Sequence, residues 1–208
     1  MPDSKARRVI WVPIIHAQED LGSLRDSVRR VAIRRSGRQS WEEQVRKVEQ
    51  RWRDTRDRID ALDLDYGRLR LYQDGLPVCG EEERIVRDLA QAGSPNHRIL
   101  LELMGRGGRL MGTEPPALLL EEYELARRVM AALESPHRGT PPSQETSRDL
   151  LERRDRAVAE RIAATLQPGE TGLIFLGMLH SLAGRFPDDV ELVLLDDAAP
   201  ARPAPRAP

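Results

Sequence analysis

Residues 172–186 read GLIFLGMLHSLAGRF, and the first six, Gly172 to Gly177, carry no charge. Leu173, Ile174, Phe175 and Leu176 follow one another without an intervening polar residue. That pattern belongs to a strand covered on both faces, as in a parallel sheet with helices on each side. His180 stands three places beyond the run, where such a strand hands the chain to a loop.

The same grammar recurs on either side. Arg8 to Ile15 (RVIWVPII) is apolar and β-branched, reads as a buried strand, and is followed at once by His16. The stretch AQEDLGSLRDSVRRVAIRR, residues 17–35, places Leu21, Leu24, Val28 and Val31 at spacings of three and four and is expected to be one amphipathic helix. Residues 40–62 keep Trp41, Val45, Val48, Trp52, Ile59 and Leu62 in helical rhythm, with Ser40 as the expected N-cap three places before Glu43. Glu42/Arg46, Glu43/Lys47, Glu49/Arg53 and Asp54/Arg58 lie one turn apart on it.

A short strand from Arg68 to Tyr72 is closed by the turn residues Asp74-Gly75. Helices are expected over 81–90 and 97–103, and Gly105-Arg106-Gly107-Gly108 reads as a helix end and turn rather than a phosphate loop. Arg109 to Thr113 is a strand with Glu114 at its end, and a helix runs on through Leu118, Tyr123, Ala126 and Met130. Residues 135–143 form a polar linker, 146–166 a helix, and 190–195 a last strand. Alternating strands and helices predict an α/β fold, a mostly parallel central sheet with helices on both faces plus long amphipathic helices. One domain is expected over 1–197, and the Ala/Pro-rich tail 198–208 is expected to be disordered.

The totals narrow the function classes. Lys+Arg is 33 against Asp+Glu 34, a net charge of -1, which removes any global electrostatic case for a nucleic-acid or membrane partner. The local basic run Arg25, Arg29, Arg30, Arg34, Arg35 and Arg38 keeps nucleic acid as the lowest-ranked reading. One cysteine, Cys79, excludes an internal disulfide framework, and no signal-like or membrane-spanning apolar segment stands in the chain, so a cytoplasmic protein is expected.

In open α/β sheets, ligands bind outside the carboxyl ends of the strands. His16, Glu114 and His180 each follow a strand and are expected to meet there. On the helix over 146–166, Leu151, Val158, Ile162 and Leu166 form the apolar stripe, and Arg154 and Asp155 fall within or beside it. A charge on a buried face is costly unless it is paired or serves a site, which separates these two from the other charges. His97 and His137 lie in turn or linker contexts and read as surface residues.

These positions resemble the superfamily that joins the TraB proteins, the TIKI metalloproteases, the erythromycin esterases and the ChaN-like haem-binding proteins. Arg154-Asp155-Arg156-Ala157-Val158-Ala159, then Gly169-Glu170, LIFLG and Gly177-Met178-Leu179-His180, are similar to the family's RD-x-x-(M)A helix followed by a strand and GxxH. His16 sits where the family carries the histidine of its first motif, and Glu114 where an acid closes a middle strand. Pro13-Ile14-Ile15 stands in place of the glycine and the Thr or Glu that usually precede that first histidine.

The resemblance implies a hydrolase-like pocket in which His16, Glu114, Arg154, Asp155 and His180 do the chemistry. His16, Glu114 and His180 are the expected ligands of a divalent metal (Zn, Mn or Fe), with direct activation of water as the metal-free variant. Arg154 is expected to bind an anionic group or a developing oxyanion, and Asp155 to orient a histidine or pair with Arg154. The alternative is a non-catalytic protein with a degenerate pocket that binds a small-molecule or peptide ligand, haem among them, or a partner. The two tryptophans of the 40–62 helix offer a possible homodimer face.

Overall fold

The computed structural model describes residues 6–134 and 142–198. Five strands form one all-parallel sheet in the order β3-β2-β4-β1-β5, with β1 Arg7–Ile14, β2 Leu69–Gln73, β3 Arg109–Met111, β4 Thr171–Gly177 and β5 Val190–Leu194. The α/β class read from the sequence is the observed one. The uncharged run of β4 lies at the centre, paired in register with β1 on one side and β2 on the other, and Leu173 through Leu176 are fully buried.

Strand alternation divides the core. Ile10, Val12 and Ile14 of β1, Leu69 and Leu71 of β2, and Leu173 and Phe175 of β4 face one side. There they meet α2 (Arg38–Asp60), α3 (Glu82–Gln91), α4 (Pro95–Gly105) and α7 (Leu195–Ala198). Val9, Tyr72, Ile174 and Leu176 face the other side and meet Val158, Ala159, Ile162 and Leu166 at and just beyond α6 (Gln144–Thr165). Two remaining helices, α1 (Arg25–Ser36) and α5 (Pro116–Glu134), pack on each other outside these layers.

Several local expectations are corrected. The single helix expected over 17–35 is split: Gln18–Leu24 is 3-10, Gly22 breaks it at φ 50 and ψ -128, and only Arg25–Ser36 is α-helical. Gly37, at φ 84, rather than Ser40, stands before the first residue of α2. Of the four one-turn ion pairs expected on α2, only Glu43–Lys47 forms. Arg53 donates instead to Gln50, and Arg58 to Asp196. On α6 it is Leu150, not Leu151, that is buried in the stripe.

Trp52 is 4 % exposed, packs within the chain and donates its indole N–H to the Ile15 carbonyl at 3.1 Å. His97, expected at the surface, is buried on α4. Its Nδ1 lies 2.7 Å from the Ser94 hydroxyl, which itself donates to Asp20 at 2.5 Å. This cluster ties the 3-10 stretch to the start of α4. His137 and the tail beyond Ala198 lie outside the described residues, as does most of the linker.

The sheet order creates a switch point. From β2 the chain passes outward through α3 and α4 to β3. From β4 it passes the opposite way, through residues 178–189, to β5. The loops leaving β2 and β4 therefore depart in opposite directions, and in open parallel sheets ligands bind at such a switch point.

Candidate functional site at the carboxyl edge of the sheet

Four consecutive strands deliver an ionisable residue to this edge: His16 after β1, Asp74 after β2, Glu114 after β3 and His180 after β4. Asp74 is anchored first by the backbone. Its N–H donates to Phe175 at the end of β4 (2.8 Å), and its Oδ2 accepts the Gly177 N–H at 3.1 Å. The loops on either side of the switch point are thereby clipped together.

Glu114 is positioned by a loop packed against β3. The N–H groups of Thr113 and Glu114 both donate to the Leu76 carbonyl, and Val78 donates to that of Glu114. This close approach requires Gly112, where a Cβ would meet the Pro77 oxygen and the Val78 Cα at 2.8 Å. Gly75, at φ 73, turns its N–H onto the Glu114 carboxylate at 2.8 Å. Glu114 is wholly buried.

Arg154 and Asp155 then enter from α6 on the buried face, each 3 % exposed. The Arg154 guanidinium spans three carboxylates. Its Nε donates to Glu114 Oε2 at 2.6 Å, its Nη2 to Glu114 Oε1 at 3.0 Å and to Asp74 Oδ1 at 2.7 Å, and its Nη1 to Glu122 of α5. Four of the five guanidinium N–H groups are used in this way, which leaves one on Nη1. Asp155 holds His180 through Nδ1 at 2.6 Å and accepts the Ser181 N–H at 3.0 Å, so the ring is fixed and its Nε2 faces Asp74 Oδ2 at 3.5 Å.

The charges shift one another's protonation. Burial alone would lower the His180 pKa, but hydrogen bonds to Asp155 and Asp74 and the Asp74 charge outweigh it and push it up to about 9. For Asp74, burial works upward and is overcome by the hydrogen bond and charge of His180, then by Arg154 and His16, so it lies well below the usual carboxylate range. Glu122 moves the other way: burial raises it, and repulsion from Asp74 and Glu114, which share its guanidinium, adds to that against the pull of Arg154. Three carboxylates on one cation leave the outermost the least satisfied.

Of the five expected residues, four interlock. His16 stands apart: it is exposed at the end of β1 and bonded to none of the other four. Asp74 and Glu122 were not among the expected residues. Asp74 satisfies the criterion that selected His16 and Glu114, an ionisable residue just past a buried strand, but the dipeptide Asp-Gly reads first as a turn.

The donor set does not fit a metal. Both Glu114 oxygens are taken by N–H donors, and both His180 nitrogens face carboxylates. Among the described residues no group of three or more His, Cys, Asp and Glu is placed to hold a metal ion. A cavity of about 550 Å³ opens on the far side of His16, between the 3-10 stretch, α2 and α4, and does not include the Arg154 cluster.

Among the described residues no helix is long and apolar enough to cross a membrane. In the basic run of α1, Arg25 pairs with Glu19 and Arg30 with Glu134, so part of that charge is used within the chain. Comparison with protein-family models, curated proteins and solved structures gave no match for this chain.

Proposed function

We propose that the crevice between β2 and β4 is a hydrolase-like acid–base site in which protonated His180 is the general acid. The observation that carries this reading is the orientation of His180: Asp155 fixes Nδ1, and Nε2 is left pointing toward Asp74 at the switch point. An imidazolium held in one orientation by a carboxylate can give its Nε2 proton to a leaving oxygen, and Asp155 holds the ring through that transfer.

The other groups have complementary roles. The remaining Arg154 Nη1 N–H receives an oxygen on which negative charge develops, at a guanidinium whose position is set by Glu114 and Asp74. His16, exposed beside the crevice, is the base that accepts the proton of the attacking water. Glu122, half-exposed with a raised pKa, is the proton-exchanging group at the mouth. Similarity of the RD helix and GxxH to the TraB and erythromycin esterase group points to the same class. No metal is required in this scheme.

The test is a panel of chromogenic carboxylic and phosphoric esters presented to the parent, His16→Ala and His180→Gln. Turnover of at least one ester is expected, with loss of about 10²–10⁴-fold in each variant, the usual contribution of a positioned acid or base. An alkaline limb near pH 9 is expected in the parent's rate profile. Turnover that survives unchanged in His180→Gln would remove the proposal. A second reading, a binding protein with a closed site, is favoured by the burial of Glu114, Arg154, Asp155 and His180, and it requires that no ester be turned over at all.

A further inference from the structure

The cavity beside His16 lies outside the charged cluster and has its own chemistry. Its volume, about 550 Å³, falls in the range of small-molecule sites. Its walls are mostly apolar. Trp52 and Ile99 form the buried floor, and Trp41, Val45 and Val48 line one side from the inner face of α2. No residue of the 3-10 stretch Gln18–Leu24 that borders it is buried.

Polar groups sit at the rim, and their pairing is uneven. Arg56 is held by Glu102 at 2.7 Å, and Glu19 by Arg25 at 3.1 Å. Arg53 and Arg98 also line the cavity. Arg53 donates only to the Gln50 side chain and Arg98 only to the Ala90 carbonyl, so among the described residues neither guanidinium has a carboxylate partner. Glu49, one turn before Arg53, lines the same cavity, but Arg53 donates to Gln50 instead. An apolar chamber with two tryptophans, and at its lip two arginines without carboxylate partners beside Glu49, fits an apolar or aromatic body whose single anionic group reaches the two guanidiniums.

We propose that this cavity is a binding site for a small amphipathic organic anion, its body against Trp41 and Trp52 and its acid group at Arg53 and Arg98. The site is independent of the acid–base reading, since it shares only His16 with the crevice and its test reads binding rather than turnover. Guanidinium donors match carboxylate, sulfonate and phosphate oxygens in geometry, and indole faces favour flat aromatic bodies.

The experiment uses two fluorescent probes that differ by one charge: anilinonaphthalene sulfonate and N-phenylnaphthylamine, which lacks the sulfonate. The full chain is titrated with each, and emission is read on excitation of tryptophan. The proposal expects one saturable site for the sulfonate, about tenfold tighter than for the neutral probe. The double variant Arg53→Gln/Arg98→Gln, with both substitutions on exposed side chains, should weaken the sulfonate about tenfold, or ~1.4 kcal/mol, and leave the neutral probe unchanged. Trp41→Ala should weaken both. Equal binding of the two probes, an unchanged sulfonate affinity in the double variant, or no saturable site would each overturn the proposal.

Discussion

Replacing Arg154 by leucine is the most informative single perturbation of the carboxyl edge. The guanidinium supplies two hydrogen bonds to Glu114 and one each to Asp74 and Glu122. The Glu114 and Asp74 side chains are 0 % and 7 % exposed, so solvent cannot replace the lost cation. Breaking a buried pair by removing one partner costs about 3–5 kcal/mol, because a charge is left uncompensated in the interior. Glu122 adds little, since its side chain is 45 % exposed and screened.

Against a domain stability on the order of 5–15 kcal/mol, the loss is large but leaves a folded protein to measure. The pH dependence gives the sharper signature. Asp74 is held below its ordinary value, so its contribution is present above an unfolded pKa near 3.8 and is lost only as pH falls through the depressed value. Without the guanidinium the stranded carboxylates can shed their charge by protonation, and the gap between variant and parent should narrow on acidification. Urea unfolding at about pH 7.5 and about pH 5.5 reads this directly. A loss below about 1 kcal/mol, or the same loss at both pH values, would refute the reasoning. Arg154→Lys should recover only part of the loss, because a point charge cannot span three carboxylates.

Other consequences are open to direct measurement. Gly112→Ala places a methyl group 2.8 Å from the Pro77 oxygen and should cost about 1–3 kcal/mol, with faster hydrogen exchange at the Val78 and Glu114 amides, whose acceptors it displaces. Trp52→Ala should cost about 3–5 kcal/mol and do so equally at all protein concentrations, because the indole is buried within its own chain rather than between two copies. Dialysis against a chelator should leave the unfolding midpoint of native protein unchanged, a fall in midpoint being the result that restores metal ligation by His180 or Glu114.

What the sequence disclosed follows from periodicity. The unbroken apolar run of β4 is visible because a central parallel strand buries both faces, and Arg154 and Asp155 are visible because helical spacing puts charge where a stripe demands Leu or Val. Asp74 escaped because Asp-Gly satisfies turn chemistry by itself, and only the pairing of β2 with β4 brings it opposite Gly177 and His180. Glu122 was hidden among the acidic residues of α5, since which of Glu121, Glu122 and Glu124 faces inward depends on how α5 docks on α6. His97 misled for a related reason: Gly93-Ser94-Pro95 reads as an exposed turn, whereas the helix start it caps is buried against Asp20.

The protonation of His180 bears most directly on the proposed acid. Its pKa is raised from 6.5 to about 9, so its contribution to stability is fully present below the unfolded value and is lost as pH rises through the folded one. The size is roughly 3 kcal/mol at most, from the unit-by-unit conversion of a pKa difference. The measurement is the NMR titration of the His180 ring, with urea unfolding of parent and His180→Gln from pH 6 to 10. The account predicts a titration near 9 and a stability advantage of the parent that shrinks across that window. A ring that titrates at or below about 6.5, with an advantage independent of pH, would contradict it.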